Sequence, residues 1–171
     1  MKTILLLRHA KSSWSNPGLD DFDRPLAERG LKDAPRMGKF LKKIGYKPDY
    51  LVSSPAQRAR ETSLLCLEGM KNDKSIIKWD ENLYFGLPRK YVEAIQKTPD
   101  NCDLMMIVGH NPLMESTASI LSDSSESSAF RMPTAGLICL ESYALHWKNI
   151  KPGTCQVKWM IIPKVLKSML D

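Results

Sequence analysis

Apolar residues run along this chain in two patterns. Thr3 to Arg8 (TILLLR) and Asp103 to Gly109 (DLMMIVG) are continuously apolar, as strands buried on both faces are. Tyr50 to Ser54 and SIIKWD, Ser75 to Asp80, read as two further short strands. Between them the apolar spacing lengthens to that of helices. One helix is expected from about Leu26 to Ile44, stopped by Gly45 and Pro48. A second starts with Ser54 as N-cap, Pro55 at the first helical position and Gln57 completing a capping box. A shorter helix covers LPRKYVEAIQKT, and another runs from an Asn111 N-cap and Pro112 to about Leu121. Ser122 to Ser128 (SDSSESS) reads as an exposed polar loop. GLICLES and CQVKWMII are expected to pair as late strands, with a turn near Asn149 to Gly153 and a short C-terminal helix behind them. This alternation predicts an α/β domain round a mainly parallel sheet. With no internal repeat and no linker, residues 1–171 are expected to form one domain.

Composition narrows the class. At 171 residues, 43% hydrophobic and 26% charged, the chain can bury a core and is too apolar for intrinsic disorder. The apolar run at the start ends at Arg8, short of a signal h-region and far short of the roughly 18 to 20 residues of a membrane span. A cytoplasmic protein with no membrane association is therefore expected. Cys66, Cys102, Cys139 and Cys155 contain no C-x-x-C pair and read as reduced packing residues. The net charge of +6 favours acidic partners without naming nucleic acid, which is not expected as a partner. Lys32, Arg36, Lys39, Lys42, Lys43 and Lys47 face only Asp33 between them. They read as a solvated helix face, with a docking patch for an acidic or phosphorylated partner as the sharper alternative.

Ligands of parallel α/β sheets bind outside the carboxyl ends of the strands. Arg8 and His9 end the first strand, His110 ends DLMMIVG, and Arg58 lies near the start of the helix that follows YLVSS. Two imidazoles and two guanidiniums can thus converge on one crevice. Guanidinium forks and helix N-termini bind phosphoryl oxygens, and an imidazole among them can attack phosphorus to form a phosphohistidine. Any one of these residues alone would read as a surface or packing residue. Their coincidence at strand ends carries the argument. No HxxxH, HExxH or paired-carboxylate motif is present, so neither metal nor other cofactor is called for. His146, in ALHWK, has no motif around it and reads as structural, on a late strand.

LLLRHAKSSW, DRPLAERG, SSPAQRARET and IVGHNP, in this order, resemble the histidine phosphatase superfamily and, within it, the small SixA-type phosphohistidine phosphatases. The resemblance implies a phosphoglycerate-mutase-like, three-layer α/β/α sandwich. It implies that His9 is the nucleophile, with Arg8, Arg58 and His110 as the rest of the phosphate pocket. Arg24 matches a basic position that touches substrate, and Ser12 and Trp14 match the Ser and Trp of a longer pattern in the mutase branch. Ser15 stands where that pattern has a phosphate-contacting Asn, and Ala10 stands where it has Gly. Glu81, in ENLYFG, is placed like the general acid of the ester-cleaving branch. Three readings follow: a protein-phosphohistidine phosphatase, a small-molecule phosphomonoesterase using Glu81, or a non-catalytic module that binds a phosphorylated partner. A phosphohistidine substrate needs no strong acid, and a chain this short has little room for a substrate lid, so the first reading is favoured. A monomer acting on a phosphorylated protein or small substrate is expected.

Overall fold

The computed structural model describes residues 1–123 and 130–170. Six strands form one sheet: β1 (Lys2–Arg8), β2 (Tyr50–Ser53), β3 (Ile77–Trp79), β4 (Leu104–Gly109), β5 (Leu137–Ser142) and β6 (Gln156–Ile161), in the order β3-β2-β4-β1-β5-β6. The β1–β4, β4–β2 and β2–β3 pairs are parallel, while β5 runs antiparallel to both β1 and β6. Among the described residues the α-helices are α1 (Glu28–Lys43), α2 (Gln57–Met70), α3 (Asn82–Phe85), α4 (Pro88–Gln96), α5 (Leu113–Asp123) and α6 (Pro163–Leu170).

The two faces of β1 explain the layers. Alternate side chains of a strand point to opposite faces, so Leu5 and Leu7 pack with Met37, Leu41, Leu67 and Leu166 of α1, α2 and α6. Ile4 and Leu6 pack with Tyr91, Ile95, Met114 and Ala118 of α4 and α5. All four β1 residues are fully buried, each contributing about 1.5–3 kcal/mol by leaving water. The sheet lies between two helical layers as expected, and all four cysteines are buried and unbridged.

Several local expectations are corrected. Helix α2 begins at Gln57, with Ala56 as its N-cap and no side-chain cap. Ser54 is not the cap because its Oγ lies 2.8 Å from His110 Nε2, and Gln57 donates forward to Glu61 Oε1 instead of closing a box. Asn111 does not cap α5 either. Its Nδ2 donates to Glu115 Oε1 and to the Met132 carbonyl, tying down the segment before β5. Ser122 and Asp123 continue α5, and the rest of the expected SDSSESS loop lies outside the described residues. The expected Ser75 to Asp80 strand shrinks to Ile77–Trp79, its start being a 3₁₀ turn capped by Asp73. His146 is not on a strand. It precedes a 3₁₀ turn, Trp147–Asn149, and pairs through Nδ1 with Asp100 at 2.8 Å.

Candidate active site

The carboxyl ends of β1 and β4 are adjacent, with Arg8 in register with Gly109. The residues that follow, His9 and His110, therefore emerge side by side, their ring centroids 5.0 Å apart. Both are buried. The His9 backbone is fixed on two sides, its N–H donating to Gly109 O and its carbonyl accepting from Ala135 N. The next residue, Ala10, is fully buried and donates its N–H to Thr62 Oγ1 on α2. Ala10 has no left-handed φ, so the methyl group that replaces the family's usual glycine costs no backbone strain. The first turn of α1 closes on the same loop, where a Cβ on Gly30 would lie 2.3 Å from the Lys11 carbonyl oxygen. Only a glycine permits that approach.

The His9 ring has a defined tautomer. Nδ1 is 2.8 Å from the Ala10 carbonyl, which can only accept, so Nδ1 carries the hydrogen and Nε2 keeps its lone pair. Burial is the largest influence on its charge and lowers its pKa to about 4, against a smaller opposing effect of the Ala10 hydrogen bond; the charges of Arg58, Arg8 and Arg24 lower it further. His9 is thus neutral at neutral pH, as a nucleophile must be. His110 is pushed down to about 3, by burial first and then by the neighbouring His9 and Arg58.

Arg8 donates from Nη1 to the Met132 carbonyl at 2.6 Å, while its Nε and the His110 Nδ1 are buried without a partner. Buried unpartnered polar atoms are costly, and two of them beside a neutral imidazole suit an anionic ligand. Arg58 comes from the first turn of α2, where it is buried. Its Nη2 meets Asp21 Oδ2 at 2.8 Å and its Nη1 donates to the Asp21 carbonyl. Arg24 is held by Ser12 Oγ and Asp21 Oδ1, each at 2.6 Å, and its guanidinium lies 3.2 Å above the Trp14 ring. Ser12 is buried and contacts the pocket through Arg24.

Two expected residues stay apart from this group. Ser15 is exposed and pairs with Ser13 Oγ at 2.8 Å. Glu81 is exposed at the head of α3 and lines a groove with Asn82, Phe85 and Arg89; its side chain makes no hydrogen bond or ion pair to Arg8, His9, Arg58 or His110 among the described residues. Arg60, two residues from Arg58, turns away from the pocket residues and stacks 4.5 Å over Trp79.

The residues that the sequence reading missed are Asp21 and Tyr84. Asp21 bridges Arg24 and Arg58 and accepts a hydrogen bond from the Tyr84 hydroxyl at 2.8 Å. Burial opposes its charge, but the Tyr84 hydrogen bond and the two guanidiniums outweigh that and hold its carboxyl below the usual range. It is an ionised brace and no proton donor. Its position three residues before Arg24, in DFDR, was the available signal. Tyr84 also lies edge-on to His110, with ring centroids 5.5 Å apart.

Comparison with known proteins places this geometry in a family. The model of the histidine phosphatase superfamily (branch 1) matches residues 4–83. The chain is 32% identical over 165 residues to the uncharacterized protein Rv1276c of Mycobacterium tuberculosis, an overlap covering 92% of this chain and 100% of that protein. Among solved structures, the Agrobacterium tumefaciens SixA, assigned as a phosphohistidine phosphatase, has a TM-score of 0.78 at 28% identity over 95% of this chain and 98% of that one. The protein histidine phosphatase SixA complexed with tungstate has a TM-score of 0.82 at 17% identity, over 96% and 99% of the two chains. This chain belongs to the histidine phosphatase superfamily. Its fold is the phosphoglycerate-mutase-like α/β fold that the SixA proteins share.

Proposed function

We propose that the protein is a phosphatase that works through a phosphohistidine on His9, without a metal ion, and that its substrate is phosphohistidine carried by another protein. The observation that carries this reading is the His9 ring itself. It is neutral, oriented by Ala10 O through Nδ1, and bordered by Arg8, Arg58 and Arg24. In the first step the Nε2 lone pair attacks phosphorus and the substrate's P–N bond breaks. The bond's electron pair stays on the departing imidazole, which leaves neutral because its other nitrogen is protonated. In the second step water attacks the phosphorus, the P–Nε2 bond breaks, and inorganic phosphate is released with His9 regenerated. The guanidiniums stabilise the equatorial oxygens in both steps.

The phosphoramidate preference rests on the missing acid. An alkoxide leaving group needs a proton donor in the pocket, and His110, pushed down to about 3, is neutral at neutral pH. Asp21, the carboxyl nearest the guanidiniums, is held ionised, and Glu81 faces a separate groove. An imidazole with a pKa of about 6.5 needs no such donor.

The test compares phosphate release from a histidine-phosphorylated carrier protein and from an aryl phosphate, with wild type and His9→Ala. Fast release from the carrier that is lost in His9→Ala, with slow ester turnover, is the expected result. Faster turnover of the ester would overturn the substrate assignment. Unchanged turnover by His9→Ala would overturn the mechanism.

A further inference from the structure

Among the described residues, grooves rich in basic residues lie at different positions along α1. One lies at the C-terminal ends of α1 and α2, lined by Lys39, Lys42, Lys43 and Lys71 together with Glu68. Another is a cleft of about 430 Å³ between the first half of α1, the Pro133–Thr134 segment and α6. It is lined by Arg29, Lys32, Arg36, Lys164 and Lys167, with Asp33 as its one acidic residue. Helix α1 is 16 residues long. The cleft takes residues of its first half and the other groove residues of its second half, the two linings meeting at Pro35 and Arg36, while Lys42 and Lys43 lie about 20 Å along the helix from Arg29. The phosphate pocket is at the α1 N-terminal end.

The second cleft shares a wall with that pocket. Arg29 Nη2 donates to Thr134 Oγ1 at 2.9 Å, and the adjacent residue, Ala135, donates its N–H to the His9 carbonyl. On the other side of Pro133, the Met132 carbonyl accepts from Arg8. One short segment thus touches the cleft on one side and the proposed nucleophile on the other.

Among the described residues, the basic side chains that line the cleft outnumber its carboxylates, although Arg29 and Arg36 are engaged. Asp33 is largely buried and already engaged, with Arg36 Nη1 at 2.8 Å and Arg29 Nε at 3.7 Å. Lys32 has only the exposed partner Glu28, and such surface pairs contribute little. Among the described residues Lys164 and Lys167 pair with no carboxylate. The exposed cations on both sides of a concavity create a positive field, one segment away from His9.

We propose that this cleft is the docking surface for an acidic face of the phosphohistidine-bearing protein, with Lys32, Lys164 and Lys167 receiving its carboxylates while its phosphoryl group reaches His9. The proposal rests on the protein-phosphohistidine reading above. Charges at the rim of an interface act mainly through association and its salt dependence, so the signature is in KM and not in kcat.

The experiment measures phosphate release from two substrates, a histidine-phosphorylated carrier protein of acidic isoelectric point and free phosphoimidazole. Three proteins are compared at low and high salt: wild type, Lys164→Glu/Lys167→Glu, and Lys42→Glu/Lys43→Glu from the remote groove. The cleft variant is expected to raise KM for the carrier about tenfold at low salt, with kcat unchanged, and to lose most of that effect at high salt. Its kcat/KM for phosphoimidazole, too small to span the cleft, stays within about twofold of wild type. The remote variant leaves carrier KM unchanged. Equal losses on both substrates, or equal effects of the two variants on the carrier, would overturn docking while leaving the phosphatase reading intact. If wild type releases phosphate from phosphoimidazole or esters but not from any phosphohistidine protein, the substrate reading fails and docking fails with it.

Discussion

The ends of β1 and β4 and the end of β3 lead toward the same side of the sheet, and they deliver side chains of very different definition. β1 and β4 are central, fully buried over most of their length and hydrogen-bonded on both edges. The residues after them, His9 and His110, are buried, and each ring has a hydrogen bond that orients it. β3 is a three-residue edge strand with two exposed positions; Asp80, which follows it, accepts from Asn82, and Glu81, the N-cap of the four-residue helix α3, is exposed. Side chains inherit the rigidity of the backbone they leave. The central strand ends can therefore hold a nucleophile to a fraction of an ångström, while the edge strand offers only a carboxylate in water.

The largest expected effect is at the central ends. His9→Ala should lower turnover by at least about 1000-fold, with no acid-labile phosphoenzyme in a single-turnover experiment. Residual activity near wild type would break the contrast outright. Arg58→Ala should cost about 100- to 1000-fold in kcat, as loss of one group stabilising the transferring phosphoryl does. Steady-state kinetics on the better substrate measures it.

The buried rings also set the response to acid. Only neutral His9 is nucleophilic, so protonation of the enzyme should lower kcat/KM only as pH drops through about 4, well below the ordinary histidine value of 6.5. With an ester substrate, which has no leaving imidazole to titrate, a loss of activity as pH falls through about 6.5 would mean that the ring is open to water. Stability follows with a sign that can be worked out. Below 6.5 the unfolded chain takes up a proton at position 9 that the folded chain refuses until about pH 4. This contribution is intact above 6.5 and is lost as pH falls. Between pH 7 and pH 5 wild type should lose about 2 kcal/mol more than His9→Ala in urea unfolding. Glu81→Gln, at the edge-strand end, should change kcat on either substrate by less than about twofold. A tenfold loss would show that the exposed carboxylate does reach the pocket and would erase the distinction between the strand ends.

The same contrast explains how far the sequence could be read. TILLLR and DLMMIVG announced β1 and β4 because burial on both faces leaves no polar residue in the run, and Arg8, His9 and His110 were placed by their positions at the ends. Ser54 shows the limit. A Ser before Pro with Gln three residues on is an N-cap pattern, but the same hydroxyl suits a buried imidazole, and only the approach of β2 to β4 decides between them. Asp21 and Tyr84 lie in a 3₁₀ turn and a four-residue helix, elements too short to leave any periodicity. Their partnership with Arg58 joins segments 37 and 63 residues apart in the chain, measured from Asp21. Ser15 is the opposite case: it stands where the longer pattern has Asn, and in the fold its side chain is exposed and paired with Ser13.

The bridge that Asp21 makes between Arg24 and Arg58 bears on the last event of each cycle, the departure of inorganic phosphate. Guanidiniums that grip an oxyanion through the reaction also slow its escape. The Asp21 carboxylate is tethered within reach of the same N–H groups, so it competes with the product at a concentration that dilution cannot lower. In the proposed cycle the residence time of the product would thus be set inside the chain, and Asp21→Asn is expected to slow phosphate release.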